Sequence, residues 1–131
     1  MNKYIIPITV ILILGIFSAS FFLVNKEKEK ENSTITSEGE VTIDITPMEF
    51  DDGKFYFDIN LNTHSVELSS YDLYQLIKIQ VDEKNTAPSS APKLSGHHNS
   101  GTLIFDVGIE PKSFRIIINN IPDIEERTFQ W

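Results

Sequence analysis

The sequence predicts an all-β fold, an antiparallel immunoglobulin-like β-sandwich preceded by a single N-terminal transmembrane helix. Three observations carry this expectation. From Val41 onward the apolar residues recur at every second position; turn-forming residues separate the alternating runs; and neither βαβ spacing nor a glycine-rich phosphate loop interrupts them.

Tyr4 to Val24 carries no charge and is almost wholly apolar. The 20 residues from Ile5 to Val24 would span about 30 Å as a helix, the thickness of a bilayer's hydrocarbon core. Pro7 falls in the first turn, where its missing N–H costs little. Ser18-Ala19-Ser20 offers the small residues that a signal peptidase accepts before Phe21. The apolar run nevertheless continues through Val24, longer than an ordinary signal-peptide core of about 7–15 residues, which favours an uncleaved signal anchor over residues 1–25. Lys26, Lys28 and Lys30 pull against export by the positive-inside rule, and Glu27, Glu29 and Glu31 offset them only weakly. A short basic tail before the apolar run and a small domain after it still favour a single-pass protein of the cell membrane with its C-terminal domain extracytoplasmic. The chain has no cysteine, hence no lipid-modified N-terminus.

Residues 26–39 alternate Lys with Glu and then turn to Asn, Ser and Thr, so little there can bury apolar surface and a flexible charged linker is expected. Residues 40–131 are left for one β-sandwich domain, large enough for a single core. Lys and Glu balance in residues 1–39, so the whole net charge of −8 falls on this domain. That balance argues against nonspecific binding of nucleic acid or anionic lipid.

Within the domain, Val41, Ile43 and Ile45 form the first alternating run, and Phe55, Phe57, Ile59 and Leu61 the second. Asp51-Asp52-Gly53 between them is the signal of a hairpin turn. Ser69 to Leu76 breaks the alternation with helical spacing of Leu73, Leu76 and Ile77, which predicts a short helical turn entering a strand at Ile77, Ile79 and Val81. Leu103, Phe105 and Val107, then Phe114, Ile116 and Ile118, then Phe129 with Trp131 complete six strands. Turns are expected at 108–112 and 119–123.

Chemistry is sought first at the three histidines. His64 lies just past the second strand, and His97 and His98 just before the Leu103 strand. Three imidazoles with a carboxylate such as Asp72 would suit zinc or copper(II), for which neutral imidazole nitrogen is a preferred ligand. Adjacent histidines in extended backbone point to opposite faces, and strand parity starts the 103–107 strand at the end remote from His64. Only a crossing of the domain by the segment from Asp82 to Gly101 would bring the histidines together. The alternative role is structural: His64 and one of His97 or His98 would bond backbone groups and pin that segment down.

The carboxylate pairs Asp51 and Asp52, Asp82 and Glu83, and Glu125 and Glu126 sit at turns or strand ends and lack the spacing of a calcium loop. Hydroxyls abound, but no Gly-x-Ser-x-Gly elbow occurs, and catalysis is not expected. Tyr56, Tyr71 and Tyr74 are candidates for an exposed aromatic patch.

The segments Thr63-His64-Ser65-Val66-Glu67-Leu68 and Gly96-His97-His98-Asn99-Ser100-Gly101, with the closing Arg127-Thr128-Phe129-Gln130-Trp131, resemble those of small anchored or secreted bacterial and archaeal β-sandwich proteins with no assigned activity. The resemblance implies the same fold and adds no reaction. The expectation is therefore a membrane-tethered, extracytoplasmic, non-enzymatic interaction module whose partner is an envelope protein, with no catalytic residues and no bound cofactor. Two alternatives stand beside it: a zinc or copper protein using His64, His97 and His98, and an accessory subunit of a membrane complex.

Overall fold

Strong alternation produces strands wherever it occurs. The computed structural model describes residues 33–131, and the expected membrane helix at 1–25 lies outside the described residues. Eight strands alternate between two antiparallel sheets: β1 (Ile35–Ser37), β2 (Val41–Asp51), β3 (Lys54–Thr63), β4 (Ile77–Val81), β5 (Lys84–Thr86), β6 (His98–Asp106), β7 (Arg115–Ile121) and β8 (Ile124–Gln130). One sheet runs β1-β2-β3-β6 and the other β5-β4-β7-β8. The chain crosses between sheets three times, at 64–76, 87–97 and 107–114. A single turn of 3-10 helix (Leu68–Ser70) and the short α1 (Leu73–Leu76) occupy the first crossing, where a helical turn is expected.

Every second residue of the central strands is buried. Val41, Ile43 and Ile45 of β2, Phe57, Ile59 and Leu61 of β3, and Ile116 and Ile118 of β7 are shut off from solvent and meet in one core. The aromatic rings gather at one side of it. Phe55 lies 4.4 Å from Phe57 and 4.7 Å from Phe114, while Trp131 stacks on Phe114 at 5.3 Å. Such pairs each add about 1 kcal/mol beyond the area they bury. Ile117 has the wrong parity for this core yet is also buried.

Two features differ from the expectation. The stretch read as linker, residues 26–39, contains β1, which pairs with β2 in the register Ile35↔Ile45 to Ser37↔Ile43; its residues 26–32 lie outside the described residues. Ile35 is the only apolar side chain β1 brings to the core, so the strand is held largely by backbone pairing and by partners distant in sequence. The second feature is β5, whose hairpin to β4 turns through Asp82 and Glu83, both at positive φ. The expected Asp52-Gly53 turn has the same form, with both residues at positive φ between the paired Asp51 and Lys54.

Candidate functional site

The register fixes what gathers at each end of the molecule. β3 pairs with β6 from Lys54↔Asp106 at one end to Asn62↔His98 at the other. β6 therefore starts beside the end of β3 that leads into His64, and the crossing that strand parity demands is made by residues 87–97. Three contacts lay that crossing along the sandwich. Leu94 is buried; Ser90 exchanges backbone bonds with Ile104; and Pro92 rests on Gly101, where a Cβ would meet the proline ring at 2.6 Å. Glycine is therefore required at 101 for close approach.

At the histidine end the loops hold one another by polar bonds. The Thr63 amide donates to the His97 carbonyl at 3.0 Å, and the Leu68 amide to the Gly96 carbonyl at 2.9 Å. Glu67 accepts from the amides of Gly96 at 2.9 Å and Ser69 at 3.2 Å. Hydrogen bonds from Ser69 and Gly96 hold its carboxylate below the ordinary glutamate range, and His97 adds to the effect. Asn99 closes a small ring with Ser95, accepting from its amide at 2.8 Å and donating to its carbonyl at 3.0 Å.

The three imidazoles divide. His97 Nδ1 bonds the Val66 carbonyl at 2.8 Å, so the ring pins one crossing to the other. His98 Nδ1 bonds Asn62 Oδ1 at 3.1 Å across the strand pair. His64 and His98 stand edge to face with ring centroids 5.9 Å apart, both exposed. Asp72, the carboxylate expected beside them, instead caps α1 by accepting from the Tyr74 amide at 3.0 Å. Among the described residues no group of three or more His, Cys, Asp or Glu side chains is placed to hold a metal ion.

Arg127 completes this end and was not legible as a functional residue. It sits on β8 at the inward parity of Phe129, and its side chain is almost wholly buried. Its guanidinium donates to the Ser37 hydroxyl at 2.9 Å, the Ser37 carbonyl at 3.2 Å and the Pro122 carbonyl at 3.1 Å, while Nε has no partner. The ion pair with Asp123 is long, at 3.9 Å, so the closer carbonyl and hydroxyl contacts carry more of the holding. Burial lowers the Arg127 pKa, and Asp123 opposes that shift. Asp123 is itself held acidic, chiefly by the Glu40 amide, which donates to it at 3.0 Å. An inward charge on an edge strand also discourages pairing with another chain. The signal for it was a lone basic residue at an apolar position of the last alternating run.

The opposite end is finished by tight turns and one projecting loop. Gly53, at positive φ, accepts from the amides of Val107 and Gly108 at 3.0 and 2.9 Å, which ties the β6–β7 crossing to the β2–β3 hairpin. Beyond that tie Ile109 is 83% exposed, the most exposed large apolar side chain described. It borders an open cleft of about 550 Å³, shared with Val81, Lys84 and Glu110. Of the three tyrosines expected to form a patch, Tyr71 and Tyr74 border a separate shallow groove beside α1, while Tyr56 lies in β3 opposite Ile104; they do not form one patch.

No family model, curated protein or solved structure matches the chain. The functional reading therefore rests on the site itself.

Proposed function

We propose that the chain is a membrane-tethered, extracytoplasmic immunoglobulin-like module that binds an envelope protein, without catalysis, through the end bearing Ile109. The uncharged apolar run from Ile5 to Val24 supports the tether. The neighbour relations β2-β3-β6 and β5-β4-β7-β8 support the immunoglobulin-like reading, since they follow the A-B-E and C′-C-F-G strand relations of that sandwich, with β1 added at the edge.

The observation that carries the binding reading is Ile109, held out on a loop whose base is tied to Gly53, beside a cleft, where burial against a partner would recover apolar surface now facing water. Asp51, Asp52, Asp82, Glu83 and Glu110 stand at that end, interleaved with Lys54, Lys84 and Lys112. The occupant that fits is a protein segment with an apolar side chain to cover Ile109 and a rim carrying charges of both signs. The carboxylate pairs are accounted for without catalysis: Asp52, Asp82 and Glu83 hold positive-φ turn positions, and Glu125 and Glu126 lie side by side on the exposed part of β8.

The test is photocrosslinking in cells, with a benzophenone amino acid at position 109 and, as a control, at Ser100 on β6. A discrete adduct from 109 and none from 100 supports the reading. No adduct from 109, or equal adducts from both, contradicts it.

A further inference from the structure

At the other end of the molecule, the geometry points to a second binding site: we propose that His64 and His98 form a two-imidazole site for a divalent cation of borderline softness, copper(II) ahead of zinc. Asn62 and His98 are directly paired across β3 and β6, and His64 lies two residues beyond Asn62, so both rings stand on one side of the strand pair. Their centroids are 5.9 Å apart. Two cis imidazoles on a square-planar copper(II) ion would place their centroids roughly 4.5 Å apart, and two on a tetrahedral zinc ion roughly 5 Å, so rotation of the exposed side chains by about an ångström closes the site.

The tautomer of His98 is set for this role. The carboxamide oxygen of Asn62 only accepts, so Nδ1 of His98 carries the proton and Nε2 keeps its lone pair. A donated Nδ1–H is the usual arrangement behind a metal-ligating imidazole; it fixes the ring and raises the basicity of the other nitrogen. His97 also donates Nδ1–H, to the Val66 carbonyl, but its ring does not join the other two in a three-ligand group. The site thus uses two of the three histidines, with water completing the coordination. The strand pairing and the braced loops around it hold both backbones in place before an ion arrives, which lowers the ordering cost of binding. Two nitrogen ligands select copper(II) over zinc by the ordinary affinity order, and hard cations such as magnesium are excluded.

The experiment titrates copper(II), zinc and magnesium salts at neutral pH into the tag-free full-length chain in a nonionic detergent. Copper(II) binding is followed by calorimetry and by the nitrogen splittings in the electron paramagnetic resonance spectrum. The expected result is one saturable copper(II) site with two imidazole nitrogens, weaker zinc binding and no magnesium binding. His64→Ala and His98→Ala each weaken copper(II) about tenfold or more, Asn62→Ala weakens it by a similar factor through the lost orientation of His98, and His97→Ala leaves it unchanged. Both ligating rings are exposed, so thermal melts of the two variants should match the parent and separate loss of binding from loss of fold. Absence of saturable copper(II) binding, or binding that survives removal of both His64 and His98, overturns the proposal. The result leaves the Ile109 crosslinking outcome untouched, because the two sites sit at opposite ends of the β3–β6 pair.

Discussion

The two ends of the β3–β6 ladder are finished by different chemistry. At the end of Asn62 and His98, four connections are cross-braced: the turn before β2 through Glu40 and Asp123, the β7–β8 turn through Arg127, and the two crossings through Glu67, Thr63 and His97. Serine joins the halves of this network, as Ser65 donates to Glu40 at 2.7 Å. At the end of Lys54 and Asp106, two-residue turns and the paired bonds to the Gly53 carbonyl do the closing, and Ile109 projects beyond them. The contrast teaches that a small sandwich with no disulfide can fix one end by side-chain-to-backbone bonds and close the other with tight turns that leave an apolar side chain in water. The first end suits a ligand needing preset side chains; the second suits an apolar contact that forms on docking.

The sharpest way to break this contrast is to remove Arg127. Arg127→Ala leaves a void and strands the Ser37 and Pro122 carbonyls, and should lower the unfolding free energy by about 3 kcal/mol in urea titration. Arg127→Met, which keeps the packing, should lose less. A loss under 1 kcal/mol for the alanine variant would show that the bracing is decorative.

Gly101→Ala acts next in size. The added Cβ collides with Pro92, so either the crossing or β6 must shift, at a cost of about 2 kcal/mol. The displacement should be visible as chemical-shift changes at Pro92 and Leu94 and a wider His64–His98 separation.

Glu67→Gln tests the electrostatic part of the bracing. The Glu67 pKa is lower in the folded chain than in the unfolded one, so its contribution is present above the unfolded value and is lost as pH falls through the folded value. The parent should therefore melt higher than Glu67→Gln at neutral pH, and the gap should close as pH falls from about 5 to below the glutamate range near 4. A gap that persists unchanged at low pH would remove the carboxylate from the account.

The smallest expected effect on stability is at the open end. Ile109→Ser should change the unfolding free energy by less than about 0.5 kcal/mol, because the side chain is already in water, while reducing partner docking.

The strands with clean alternation were legible because burial on one face demands period two, and Asp52-Gly53 was legible because glycine favours the positive φ that such a turn needs. The β4–β5 hairpin was not, because Asp82 and Glu83 take the same backbone form without glycine to announce it. β1 was hidden for a different reason: its stability comes from β2 and from Arg127, about ninety residues along the chain, whereas its own composition is that of a linker. At the histidine end the residues were legible and their grouping was not. Which imidazole faces which depends on the 87–97 crossing, whose path is set by Pro92 against Gly101 and by the burial of Leu94, contacts that no local pattern encodes.

Residue-resolved amide hydrogen exchange on the native chain tests the difference between the ends most directly. The Thr63, Leu68 and Gly96 amides, each bonded across the braced end, should exchange with protection approaching that of core amides such as Ile116, while the amides of Ile109, Glu110 and Lys112 should exchange at nearly unprotected rates. Equal and rapid exchange at Thr63, Leu68 and Gly96 would contradict the account.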